Sequence, residues 1–223
     1  MIRLSTNEKK IMKILALGDS FTYGGELEDR KNAWPIVLAS KLNADINNFG
    51  KPGRGNTQIV RSVVEVAKSY DLVVIGWSSP GRVEFATPSG DFDVWPGWQG
   101  HAMDMYQPEF AKLITDSHDP KYLFKQFLIN IIVVQNYLKA HNIRYLMTAT
   151  QGQSEYYYKT FSGGCKNLLD QIDLTYFIEW PENGMAEWAF GTPKGPRNHF
   201  LEEGHERVAN KFYEHIGNLG WLP

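Results

Sequence analysis

Cysteine is almost absent from this chain of 223 residues: the only one is Cys165, in the string Ser-Gly-Gly-Cys. A lone thiol closes no internal disulfide, so the redox compartment cannot be read from cysteine usage. Long apolar runs are missing too. No stretch approaches the roughly 18 apolar residues that a membrane-spanning helix needs. Nor is there a block of Lys or Arg, and the formal net charge is −2. Nucleic acid and anionic membrane are therefore poor partners for it. The first ten residues, MIRLSTNEKK, are polar and run straight into a strand, unlike a secretory leader. The expectation is a soluble protein made without export, cytoplasmic or virion-associated. Internal repeats, low-complexity tracts and a dividing linker are also lacking. The chain reads as one domain over residues 1–223, with an elaborate insertion at 79–119.

What is present is a sequence of short apolar runs separated by helical periods. Met12 to Leu17 (MKILAL) stops at Gly18-Asp19-Ser20, and Leu72 to Trp77 (LVVIGW) is its counterpart. Continuous apolar runs of that length, closed by turn residues, predict strands buried on both faces. Ala44–Phe49, Arg144–Ala149 and Ile172–Ile178 are the remaining strand candidates. Helical spacing covers Ala33–Leu42, Asn56–Tyr70 (with Asn56 as N-cap), Tyr122–His141 and Leu201–Leu219. This alternation predicts βαβ units: a parallel sheet of about five strands between two helical layers.

In such sheets ligands sit beyond the carboxyl ends of the strands. Gly18-Asp19-Ser20-Phe21-Thr22-Tyr23-Gly24 lies at such an end. A serine there is held on a tight turn, near backbone N–H groups that can stabilise an oxyanion. A phosphate cradle is the rival reading of such a loop, but the Walker lysine is missing and Asp19 would repel an anion.

GDSFTYG resembles the first signature block of the SGNH (GDSL-like) hydrolases, serine esterases with a flavodoxin-like three-layer α/β/α fold. The resemblance extends over three further blocks. Asn48-Phe49-Gly50-Lys51-Pro52-Gly53 matches the second and makes Gly53 an oxyanion donor; bare glycine lets the backbone approach a substrate. The third, normally Gly-x-Asn-Asp, is Gly76-Trp77-Ser78-Ser79, so Ser78 stands where the family has its oxyanion asparagine. Asn56 and Ser79 are alternative donors, and Asp19 joins the group by adjacency to Ser20. His199-Phe200-Leu201-Glu202-Glu203-Gly204-His205 keeps the spacing of the last block, with Ala209 in the helix beyond. Ser20 is thereby implied as nucleophile and His199 as base, while His205 reads as a packing residue. The family aspartate, three residues before the histidine, is replaced by Pro196. Either a backbone carbonyl orients His199 or a carboxylate arrives from elsewhere, with Glu187, Glu202 and Asp173 as candidates. The two histidines do not have zinc-motif spacing, and no metal or organic cofactor is implied.

The string Trp77-Ser78-Ser79-Pro80-Gly81-Arg82 is similar to divergent, phage-associated relatives of that family. The insertion carries Phe85, Phe92, Trp95, Trp98, Tyr106 and Phe110 without helical or strand period. Above a site, such rings would stack on sugars; under a loop, they would form a satellite core. Tyr156, Tyr157, Tyr158 and Phe161 form a second aromatic group, and Arg54 and Arg82 are candidate anchors for an acidic substrate group. The leading expectation is an esterase acting on a small-molecule or polysaccharide ester, such as a carbohydrate O-acetyl group. The alternatives are a catalytically weak carbohydrate-binding or structural protein on the same fold, and an acyltransferase.

Overall fold

The computed structural model describes residues 10–87, 90–94, 116–151 and 153–222. Its centre is a parallel sheet of β1 (Lys13–Gly18), β2 (Asp45–Gly50), β3 (Leu72–Trp77) and β6 (Arg144–Ala149), in the order β2-β1-β3-β6. Chain order reverses beside β1, so the loops after β1 and β3 open onto a common crevice. The expected fifth strand, Ile172–Ile178, contributes only an isolated parallel bridge, Met147 with Phe177.

The apolar runs are continuous because successive residues feed two cores. Leu15, Leu17, Val73, Ile75 and Met147 point to one face, where α3 (Asn56–Val66) and α4 (Pro120–Ala140) supply Ile59, Val63, Phe124, Phe127 and Ile131. Ile14, Ala16, Val74 and Leu146 point to the other. There α2 (Trp34–Leu42) and α8 (Glu202–Asn218) supply Trp34, Leu38, Val208 and Phe212. Each fully buried Leu, Ile or Phe contributes about 1.5–3 kcal/mol, so both faces of the sheet stabilise it. Edge strand β2 is the exception: its residues alternate between exposed and half-buried.

Two expectations about local structure are corrected. The N-cap of α3 is Gly55, and Asn56 is the first residue of the helix, its side chain bonded elsewhere. The start of the insertion does have strand structure: β4 (Val83–Thr87) and β5 (Gly90–Val94) form an antiparallel hairpin pairing Phe85 with Phe92. Arg61 of α3 ties it down, donating through Nη1 to Glu84 Oε2 at 2.8 Å and through Nη2 to Oε1. Trp95, Trp98, Tyr106 and Phe110 lie outside the described residues. Four short helices complete the elements among the described residues: α1 (Ser20–Tyr23), α5 (Gln153–Phe161), α6 (Lys166–Leu169) and α7 (Met185–Trp188).

Candidate active site

Ser20 begins α1 directly beyond the carboxyl end of β1. Asp19 caps that helix, its Oδ1 accepting from the Phe21 N–H at 3.0 Å. Gly24, left-handed at φ 84°, ends it after a single turn. Gly50 permits the close approach of β2: a Cβ there would sit 2.3 Å from the Tyr23 nitrogen. Asn48 fastens the same contact, donating to the Thr22 carbonyl at 2.8 Å.

His199 arrives from the far end of the chain. Residues 194–200 form a tight turn closed by a Lys194–Phe200 bridge and a Gly195 N–H to His199 carbonyl bond of 2.9 Å. The imidazole rests against Phe21, ring centroids 4.9 Å apart. Its Nε2 lies 2.7 Å from Ser20 Oγ, and its Nδ1 lies 2.8 Å from Glu26 Oε2. Carboxylate contact makes Nδ1 the protonated nitrogen and leaves the Nε2 lone pair for the Ser20 hydroxyl.

Glu26 is the residue that sequence reasoning missed. Its Oε1 accepts from the Arg197 N–H at 2.8 Å and its Oε2 from the His199 N–H at 3.2 Å. Desolvation raises its pKa, but the Arg197 N–H, the His199 ring and the His199 N–H together outweigh that and hold the carboxyl below its ordinary value. The three carboxylates expected instead are elsewhere. Glu187 accepts from the Gly184 N–H at 2.9 Å, Asp173 pairs with Lys139 at 2.6 Å, and Glu202 is exposed at the start of α8.

Of the expected oxyanion and substrate residues, Gly53 borders open space. It is left-handed at φ 77°, and a Cβ there would touch nothing within 4 Å. Among the described residues no backbone carbonyl accepts from the Ser20 or Gly53 N–H. The side chains of Ser78, Asn56 and Asp19 are bonded to the scaffold. Asp19 is fully buried and its Oδ2 accepts from Ser78 Oγ at 3.1 Å and Thr150 Oγ1 at 3.0 Å, with Arg82 Nη1 at 3.8 Å. Asn56 accepts from the Ser78 N–H at 2.9 Å and donates to the Ser78 and Ser79 carbonyls, so it clamps the loop after β3. The physical reason is burial: with Ser78 at 0% and Asn56 at 4% exposure, their polar groups need internal partners. His205 is likewise structural, its Nδ1 accepting from the Trp34 N–H at 3.1 Å. Among the described residues no group of three or more His, Cys, Asp or Glu is placed to hold a metal ion. No described helix is long and apolar enough to cross a membrane.

A family model described as a family of unknown function, DUF6071, matches residues 19–222. The chain belongs to that family. No curated protein matches this DUF6071 chain in sequence. Solved structures match it in fold. A Desulfitobacterium hafniense protein assigned to the G-D-S-L lipolytic family is 16% identical, with a TM-score of 0.52 over 92% of this chain and 99% of that one. The psychrotrophic esterase EstA from Pseudoalteromonas, in a structure inhibited by monoethylphosphonate, is 12% identical, with a TM-score of 0.57 over 93% and 98%. A carbohydrate esterase family 2 enzyme with a carbohydrate-binding domain, from Corynascus (Myceliophthora fergusii), is 16% identical, with a TM-score of 0.56 over 94% and 67%. The DUF6071 chain thus has the SGNH hydrolase fold.

Proposed function

We propose that this protein is a serine carboxylic-ester hydrolase that removes a small acyl group, with O-acetylated carbohydrate as the substrate class it fits. The observation that carries the reading is the 2.7 Å contact between Ser20 Oγ and His199 Nε2 at the carboxyl edge of the sheet. A hydroxyl bonded to a neutral imidazole is an activated nucleophile. Ser20 Oγ attacks the ester carbonyl carbon while its proton passes to Nε2. The carbonyl oxygen becomes an oxyanion, held by the N–H groups of Ser20 and Gly53. The C–O bond to the alcohol then breaks, and Nε2 returns the proton to the leaving oxygen. Water repeats the sequence on the acyl-Ser20 ester, releasing the acid and restoring the serine. The carbohydrate esterase relative and the aromatic insertion beyond β3 support the choice of alcohol.

The test is labelling of the full chain with a fluorophosphonate, alongside hydrolysis of p-nitrophenyl acetate and an acetylated xylan. Wild type should label and turn over, and Ser20→Ala and His199→Ala should each lose both. A folded wild-type protein that neither labels nor hydrolyses any of these esters would overturn the reading and leave a binding protein on a hydrolase fold. Acyl transfer to an added sugar in preference to water would redefine it as an acyltransferase.

A further inference from the structure

Two loops meet at the imidazole, and the one carrying the carboxylate is not the histidine's own. The SGNH pattern puts the acid three residues ahead of the histidine, where this chain has Pro196, an exposed residue without a side-chain acceptor. The carboxylate at Nδ1 instead comes from Glu26, 173 residues away in sequence and only six beyond the nucleophile. Its backbone is left-handed at φ 66°, a conformation that costs a non-glycine residue about 1 kcal/mol or more. The surroundings hold it there through the two N–H bonds from Arg197 and His199 and the ring contact. Space for it comes from Gly195. A Cβ at that position would lie 2.7 Å from Glu26 Cδ and 2.9 Å from both its Cβ and its Oε1.

We propose that Glu26 is the positioning acid of this site, admitted to His199 from the nucleophile's side by the bare Gly195, in place of the carboxylate lost at Pro196. The inference rests on the hydrolase reading. A carboxylate 2.8 Å from Nδ1 selects the tautomer in which Nε2 accepts from Ser20 and stabilises the imidazolium formed when Ser20 attacks. This arrangement depends on geometry and not on position in the chain. It also links the β1–α1 loop to the 194–200 turn, so one side chain fixes both the orientation of the base and its distance from the nucleophile.

The rival is a loop staple without a role in proton transfer, and Glu26→Gln separates the two. Gln keeps an acceptor oxygen for the Arg197 N–H but loses the charge, and its amide can donate to Nδ1 and enforce the wrong tautomer. The expected result is a fall in kcat on p-nitrophenyl acetate of roughly 100- to 10,000-fold with KM little changed, and a matching fall in fluorophosphonate labelling rate. Glu26→Asp, which keeps the charge on a shorter stem, should recover labelling to within about tenfold of wild type. Gly195→Ala, whose added Cβ has atoms of Glu26 as its three nearest neighbours, should slow labelling as Glu26→Gln does, and the double variant should be no slower than the worse single. Proton NMR supplies a readout without turnover: a low-field imidazole N–H resonance in wild type that is lost in Glu26→Gln and His199→Ala. Glu26→Gln labelling at the wild-type rate would overturn the proposal and leave the hydrolase reading intact. A folded wild type without labelling would overturn the hydrolase reading, and the imidazole resonance would then decide the Glu26–His199 pairing alone, its absence overturning it.

Discussion

Removing the Asp19 carboxylate tests whether the nucleophile turn is held from beneath. In Asp19→Ala, the Phe21 N–H, the Ser78 hydroxyl and the Arg82 guanidinium lose an acceptor that is fully buried. Thr150 suffers less, because its hydroxyl also reaches the Trp77 carbonyl at 3.1 Å. Each orphaned buried donor costs on the order of 1–3 kcal/mol. Two such donors, with the loss of the longer 3.8 Å contact to Arg82, which still donates to the Arg54 carbonyl at 3.1 Å, place the sum near roughly 3–5 kcal/mol. For a chain of this size that corresponds to a drop in Tm of roughly 6–20 °C. Asp19→Asn should cost about 1–2 kcal/mol, because the amide oxygen still caps Phe21 and the two hydroxyls can rotate to accept from its NH2. The assay is urea unfolding followed by tryptophan fluorescence and circular dichroism, with fluorophosphonate labelling under native conditions. Labelling should slow in both variants even where the protein remains folded, since α1 carries Ser20. An Asp19→Ala protein within about 1 kcal/mol of wild type would refute the argument that this network holds the turn.

Burial, the larger influence, and the neighbouring His199 lower the His205 pKa to about 3. The unfolded chain therefore takes up a proton near pH 6.5 that the folded one refuses, and stability should fall by about 1.4 kcal/mol per pH unit as pH drops from about 6.5 toward 3. Urea unfolding at pH 7 and pH 5 measures this, and a His205→Gln variant with the same acid slope would refute it. Gly50→Ala should destabilise by about 2–3 kcal/mol and slow labelling, because the added carbon meets backbone of α1 and not a side chain that can swing away. Unchanged labelling in that variant would show that β2 does not set the position of Ser20.

Local signals are legible in the sequence where a single element carries them. β1, β3 and β6 read as strands because apolar residues at consecutive positions serve a core on each face, as parallel strands covered on both sides require. The turn at Ser20 is legible because its immediate neighbours build it, the cap at Asp19 and the left-handed Gly24, and the resemblance of GDSFTYG to the SGNH block is what marks Ser20 as the expected nucleophile. The hairpin β4–β5 escaped detection because its few strand residues sit inside a stretch of glycine, proline and aromatics with no period of their own. The segment 172–178 carries strand composition but finds only a single bridging partner in β6.

The layered α/β architecture and the tight turn bearing the buried Ser20 are written into local periodicity and turn chemistry, each contained within a few tens of residues. The resemblance to the SGNH blocks added His199 as the expected base. Which carboxylate meets His199, and which polar residues serve the scaffold, emerges only when the chain folds. Glu26 reaches the ring across 173 residues of chain, and Asp19 meets Thr150 across 131. A carboxylate's partners depend on which loops the folded sheet brings together at its edge, and a charged residue in a loop has the same local signature whether it faces solvent, a buried guanidinium or an imidazole.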